Sequence, residues 1–336
     1  MSENFKHIQA AHCENGVTTS LLRFHGLEFM NEPLAFGMGS GLFYIHIPFI
    51  EVNGGPAVSF RNLPGNIFKK TCKSLGIQVK RQKFSNQLDA QKSLDAQISQ
   101  GIPVGCQVGV YHLPYFPIEY RFHFNAHNII VFGKENNRYL ISDPVMETTT
   151  QLSSDELEKV RFAKGLFAPK GHLYYPINVG IITDEIIRKA IVKGIKRNIR
   201  DMLHIPGNVV GVSGIKYTAG KIRKFREKKG IRKAGLALAQ IVRMQEEIGT
   251  GGGGFRYIYA AFLEKANAYF QEDKLLNISD LFTQAGDMWR NNAVKMAGVY
   301  KGRLTEQKDF DEIADAMIEI AEKEKEAFKK LSKLNF

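Results

Sequence analysis

The chain lacks any long apolar run. Its best candidate, "LFYIHIPFI" at 42–50, is interrupted by His46 and falls far short of the ~20 residues a membrane helix needs. Cysteine is scarce: Cys13, Cys72 and Cys106 are too few and too widely spaced for a disulfide framework or a zinc site. Reduced thiols and no bound metal are therefore expected. The opening "MSENFKH" has no signal-peptide apolar core. These absences predict a cytoplasmic protein without a membrane partner. No proline follows Pro206, and the single tryptophan, Trp289, reads as core packing.

What is present is an ordinary globular composition, 44% hydrophobic and 24% charged, over 336 residues. That is more than one core usually holds, so two domains are expected. The net charge of +12 is uneven, because residues 188–243 carry 16 basic and 2 acidic side chains. Residues 1–180 alternate short strands with helices. "LAFGMG" and "LFYIHI" read as strands, "LPGNIFKKTCKSLG" and "QLDAQKSLDAQISQG" as helices, and "HNIIVFG" with "RYLISDP" as a hairpin. From Thr183 the period is helical almost throughout, starting with "TDEIIRKAIVKGIKRNIRDML", which has a Thr cap and acidic residues in its first turn. The fold class expected is α+β, with domains at 1–180 and 181–336, the second mostly α-helical.

Cys13 stands where the polar "QAAHCENG" becomes an amphipathic run with Val17, Leu21 and Phe24 on one face. A thiol at a helix N-terminus is favoured as the reactive thiolate. By the same reading Cys72 lies inside a helix and Cys106 alternates within a strand, so both read as packing residues. A cysteine nucleophile needs an imidazole and a group to orient it. His127 opens the strand "HNIIVFG", and Asp143 ends the facing strand "RYLISDP". With a three-residue loop at 135–137, Lys134 pairs with Arg138 and Asp143 lies diagonal to His127. His123, in "RFHFNAH", is the rival base.

A cysteine on the first helix, then a histidine opening a strand and an Asp ending the next, is the papain-like order. "HC", "LAFGMGSGLFY", "YHLPY", "HNIIVFG" and "YLISDP", with "GTGGGGFRYIYAAFL" and "AGDMWRNNA" downstream, resemble the butirosin-biosynthesis acyltransferase (BtrH-like) family. The resemblance covers most of the chain. It implies a papain-like N-terminal domain, a helical accessory domain, and movement of an acyl group from an acyl carrier protein thioester to an amine or hydroxyl of a small metabolite. Cys13 would carry the acyl group, His127 would shuttle the proton and Asp143 would hold the imidazole. No cofactor of its own is implied, since phosphopantetheine arrives on the carrier. The oxyanion-hole glutamine of papain-like enzymes has Gln9 as its candidate, with the Cys13 backbone N–H as the second donor.

Two further features invite roles. Gly251, Gly252 and Gly253 precede Arg256 at a helix start and are candidates to meet the phosphopantetheine phosphate or the substrate; the Gly-Lys-Ser/Thr ending of a nucleotide P-loop is missing. Lys221, Arg223 and Lys224 are candidates for docking an acidic carrier protein. The same catalytic residues could serve a thioesterase, amidase or peptidase. A non-enzymatic nucleic-acid-binding protein is the third reading, disfavoured because 188–243 contains only two aromatics and no recognised motif. A homo-oligomer is compatible with all three.

Overall fold

The computed structural model describes residues 5–336. Helix α1 (Cys13–Phe24) and short α2 (Glu32–Met38) come first. A hairpin, β1 (Leu42–Val52) and β2 (Gly55–Arg61), follows, then α3 (Asn66–Leu75), β3 (Gln78–Gln82) and α4 (Gln87–Ile98). Next are β4 (Val104–Val108), β5 (His127–Glu135), β6 (Arg138–Ser142), β7 (Thr150–Ser153), α5 (Ser154–Arg161) and β8 (Leu173–Asn178). The rest is helical: α6 (Asp184–Leu203), α7 (Gly211–Ile222), α8 (Phe225–Val242), α9 (Arg256–Phe270), α10 (Asp273–Tyr300) and α11 (Gln307–Leu331). The α+β class with a helical C-terminal region is therefore what the chain adopts. Among the described residues no helix is long and apolar enough to cross a membrane. "LAFGMG", expected as a strand, lies largely in α2, a seven-residue helix too short to show a period that separates it from a buried strand.

Two compact units form. The first takes the chain up to Ala35 and again Ile67–Thr183; the second takes Phe36–Asn66 and Asp184–Phe336. The expected division at 181 placed all of 1–180 in one domain, so residues 36–66 correct it. The reason is aromatic. Tyr44 of β1 stacks on Trp289 at 6.1 Å and meets Phe60 of β2 edge-on at 5.2 Å. Its hydroxyl donates to Thr218 Oγ1 of α7 at 2.8 Å. Strand periodicity shows that one face is buried, but not which layer covers it.

In the first unit six strands form one antiparallel sheet in the order β3-β8-β4-β5-β6-β7. Leu94 and Ile98 of α4 and Leu157 and Val160 of α5 join Cys106, Ile129, Val131 and Ile141 of the sheet in one core. Helix α1 packs against β5, β4 and β8, and residues 13–22 are all buried. Gly16 permits this docking, because a Cβ there would lie 2.3 Å from Pro144 Cβ. Beside it the Ala10 N–H donates to the Pro144 carbonyl at 2.7 Å.

The second unit closes on a buried ion pair. Arg256 Nε and Nη2 each donate to Glu324 at 2.8 Å, and Trp289 Nε1 donates to the same carboxylate at 2.8 Å. Both ionised side chains are fully buried, a placement sustained only when charge meets charge and the remaining donors find acceptors.

Gly16→Ala is expected to lower the unfolding free energy by about 1–3 kcal/mol through overpacking against Pro144. Urea denaturation checks this, and unchanged stability would show that the Pro144 contact yields freely.

Candidate active site

Cys13 is the first residue of α1, with His12 as the N-cap in extended conformation. His12 Nδ1 accepts from the Asn15 N–H at 3.3 Å, so this imidazole is occupied in capping. Glu32 fixes the approach to the helix. Its carboxylate accepts from the Ala11 N–H at 3.0 Å and the His12 N–H at 2.8 Å. Burial raises the Glu32 pKa, opposed by these backbone bonds and by the Asn15 amide. The Cys13 N–H has no acceptor among the described residues, as expected for a first-turn amide.

His127 and Asp143 come together through a hairpin that differs from the expected one. Glu135 pairs with Arg138, so the loop is the two residues Asn136 and Asn137, with φ of 46° and 61°. Both sit in the left-handed region that tight hairpin turns require and that asparagine tolerates. The register then shifts between Val131 and Gly133, which returns Ile130 to a position opposite Ser142. This bulge recovers the residue that the shorter loop removes. Asp143, one step past that pair, accepts from His127 Nε2 at 2.7 Å. His127 Nδ1 is the nitrogen that Asp143 leaves unused, and Cys13 is near enough to raise the imidazole pKa.

Three side chains that the sequence reading passed over complete the site. The Tyr115 hydroxyl donates to the same Asp143 oxygen at 2.9 Å, while the Val145 N–H donates to Asp143 Oδ1 at 3.2 Å. Burial and the Asp143 charge hold the Tyr115 pKa well above its usual value, so it remains a donor. Asn128 Nδ2 donates to Cys13 Sγ at 3.8 Å and to the Ala126 carbonyl at 3.1 Å. The Tyr174 hydroxyl, donating to Asn128 Oδ1 at 2.8 Å, sets that amide with its NH₂ toward sulfur. Tyr115 does fall within "YHLPYF", but nothing in its spacing announced a carboxylate partner.

His127 is 5% exposed and Asp143 0%. Burial lowers the His127 pKa, but the Asp143 charge, the neighbouring Cys13 and the hydrogen bond to Asp143 lift it to about 10. The imidazole thus carries its proton across the neutral range. Cys72 and Cys106 are fully buried, and desolvation pushes both thiol pKa values up. Among the described residues no three His, Cys, Asp or Glu side chains gather as metal ligands.

Other candidates fall elsewhere. Gln9 is exposed, whereas the side-chain amide that points at the sulfur belongs to Asn128. His123 is exposed and stacks on Tyr111 at 4.1 Å. Gly251, Gly252 and Gly253 all have positive φ, but this loop is closed on itself. The Gly253 N–H donates to both Glu246 oxygens at 3.1 and 3.2 Å, and the Gly252 N–H to Thr250 Oγ1 at 3.0 Å. A carboxylate occupies the Gly253 amide and a hydroxyl the Gly252 amide, and Arg256 is consumed by Glu324. The phosphate reading of this loop is therefore corrected. Of the three docking candidates, Arg223 is paired with Asp315 and with Asp311 of α11. Lys221 lies over the Tyr217 ring at 4.8 Å, and Lys224 is exposed. Lys216 and Lys229 also meet carboxylates, from Glu322 and Glu51. The basic excess counted along the chain is partly neutralised by acids distant in sequence.

Comparison with known proteins gives two family matches. Residues 12–144 match "Butirosin biosynthesis protein H, N-terminal", and residues 155–331 match "Domain of unknown function (DUF4872)". No curated protein matches the chain. Among solved structures, one described as a C39-like peptidase from Bacillus anthracis shares 12% identity, covering 54% of this chain and 98% of its own, with a TM-score of 0.38. At that score the likeness carries no inference about activity.

The raised His127 pKa has a consequence for stability. A histidine charged more readily folded than unfolded stabilises fully below its unfolded pKa, about 6.5, and loses that contribution as pH rises toward 10. The stability difference between the wild type and His127→Gln should therefore shrink from pH 6.5 to 10 in chemical denaturation. A difference constant over that range would show that His127 is not held as imidazolium.

Proposed function

Because the chain belongs to the DUF4872 family, whose model matches residues 155–331, and its residues 12–144 match the butirosin biosynthesis protein H N-terminal region, we propose that it is a cysteine acyltransferase. It would move an acyl group from an acyl carrier protein thioester to an amine or hydroxyl of a small metabolite. The observation that carries this reading is the buried His127–Asp143 pair, 2.7 Å apart, with the residue after His127 on its strand, Asn128, meeting the thiol of Cys13 at a helix N-terminus.

The chemistry divides into two exchanges. Cys13 sulfur attacks the thioester carbonyl, forming a new carbon–sulfur bond. As the intermediate collapses, the bond to the carrier sulfur breaks, and the departing thiolate takes the proton from His127. In the second exchange the acceptor amine or hydroxyl attacks the acyl carbon and gives its proton to His127, and Cys13 leaves as thiolate. Asp143 holds the imidazole in one orientation and stabilises its charged form; Tyr115 and the Val145 N–H hold Asp143. The developing oxyanion is assigned to the Cys13 N–H and Asn128 Nδ2, the donors placed beside Sγ. Thiol-for-thiol exchange is nearly neutral, so the acyl group keeps its reactivity toward the acceptor. If water took the acceptor's place, the same residues would give hydrolysis.

Intact-mass measurement after mixing with acyl thioesters tests the reading. An acyl adduct is expected on Cys13 and absent in Cys13→Ala, and iodoacetamide should label Cys13 well before Cys72 or Cys106. Asn128→Ala should slow acylation by about a hundredfold or more, the usual effect of removing one oxyanion donor. His127→Ala should be nearly inactive, and Asp143→Asn should keep part of the activity because an amide oxygen still accepts the imidazole N–H. Equal labelling of all three thiols, or turnover by Cys13→Ala, would sink the proposal. Release of free acid that added amines do not divert would reassign the protein as a hydrolase.

A further inference from the structure

The second unit carries a groove of about 620 Å³ along one side of α6. Arg188, Lys189, Lys193, Lys196, Arg197 and Arg200 line it. Their positions advance by one, then three or four residues, so they fall in a single stripe. From Arg188 to Arg200 the stripe runs about 18 Å, at the α-helical rise per residue. Val192, Phe270 and Phe336 supply an apolar wall.

Neutralisation here is sparse. Lys189 meets Glu185 on its own helix, and Arg200 meets the adjacent Asp201 at 2.6 Å. Arg188 Nε donates to the Tyr269 carbonyl, a contact that leaves its charge unbalanced. Lys193 and Lys196 are exposed, and neither forms an ion pair among the described residues. Burial, and after it the neighbouring Arg200, lowers the Arg197 pKa, while Asp201 raises it. By contrast, Lys216 of α7, Lys229 of α8 and Arg223 between them are each matched by a carboxylate.

We propose that this groove is the docking surface for an acidic amphipathic helix of the acyl carrier protein; this rests on the function proposed above. The geometry favours a helix over a single phosphate. The cations form a row three turns long rather than converging on one point, and an apolar strip runs beside them. A helix with acidic residues at matching intervals would pair along the row and cover Phe270 and Phe336 with its apolar edge. Lys221 and Lys224 lie outside this groove. The unbalanced field would also speed encounter, and the effect would fade as salt rises.

The test measures binding of the full chain to a fluorescently labelled fatty-acid-type acyl carrier protein by anisotropy, at low and at moderate salt. The wild type should bind, and the affinity should fall with salt. Lys193→Glu with Lys196→Glu should weaken binding at least tenfold. Lys221→Glu with Lys224→Glu, the same change in net charge, should weaken it less than threefold. Circular dichroism confirms that both variants remain folded. Three results would overturn the proposal: no binding by the wild type, equal weakening by the two pairs, or tighter binding of a 20-base-pair DNA duplex that the Lys193/Lys196 variant abolishes. Acylation of wild-type Cys13 by a butyryl-pantetheine thioester, run in parallel, needs no carrier. If that acylation occurs while the carrier fails to bind, the docking surface is wrong and the acyl-enzyme stands. If neither occurs, the acyltransferase reading falls with it.

Discussion

The first unit depends on how one buried carboxylate is satisfied. Asp143 has no exposure, and an ionised carboxylate in such a place is tolerated only with charge and donors around it. His127, Tyr115 and the Val145 N–H supply them. The next residue, Pro144, extends the same requirement to α1. It crowds Gly16 and accepts the Ala10 N–H, so the stretch that seats the acid also sets the depth of the helix bearing Cys13. The loop containing Tyr115 is held by the same atom, and neighbouring Phe116 packs edge-on against the His127 ring at 5.4 Å. Loosening Asp143 would therefore disturb imidazole, loop and helix together.

The second unit solves a similar problem with different partners. Glu324 takes three charge-assisted or indole donors, and Arg256 Nη1 donates to the Gly254 carbonyl at 2.7 Å. Around the guanidinium, Phe60 and Trp289 present ring faces at 5.7 and 5.5 Å, a contact favourable to a cation. The glycine run leading to Arg256 belongs to this arrangement. Residues 251–254 follow one another through positive φ, a path closed to side chains with a Cβ. Its glycines bring the backbone into the core, where the Gly253 amide meets Glu246.

Much of this was legible in the sequence, for identifiable reasons. Cys13 lies at a change of pattern, and His127 and Asp143 bracket a hairpin of unmistakable apolar strands, so local signals sufficed to place them. The helices after Thr183 announce themselves by period. Asn128 and Tyr115 were hidden because their significance lies in contacts with residues 115 and 28 positions away, which no local pattern encodes. Residues 36–66 were assigned to the wrong unit for the same reason, since Tyr44 finds Trp289 only in three dimensions. Charge misled more subtly. Counting along 188–243 ignored Asp311, Asp315, Glu322 and Glu51, each brought from a distant element. Arg256 looked like a surface ligand because it follows glycines at a helix start, and its acceptor lies 68 residues on.

The site is also assembled from pieces of very different sequence span. His127 and Asp143 stand 16 residues apart on one hairpin whose turn closes over two asparagines, so little chain entropy opposes their meeting. The sulfur must come to Asn128 from 115 residues away, and contacts of that span wait on closure of a large loop. Until α1 seats against the sheet, Cys13 lacks the Asn128 amide beside its sulfur. The contact between thiol and amide is therefore a product of long-range closure, whereas the histidine–aspartate pair is a product of one hairpin.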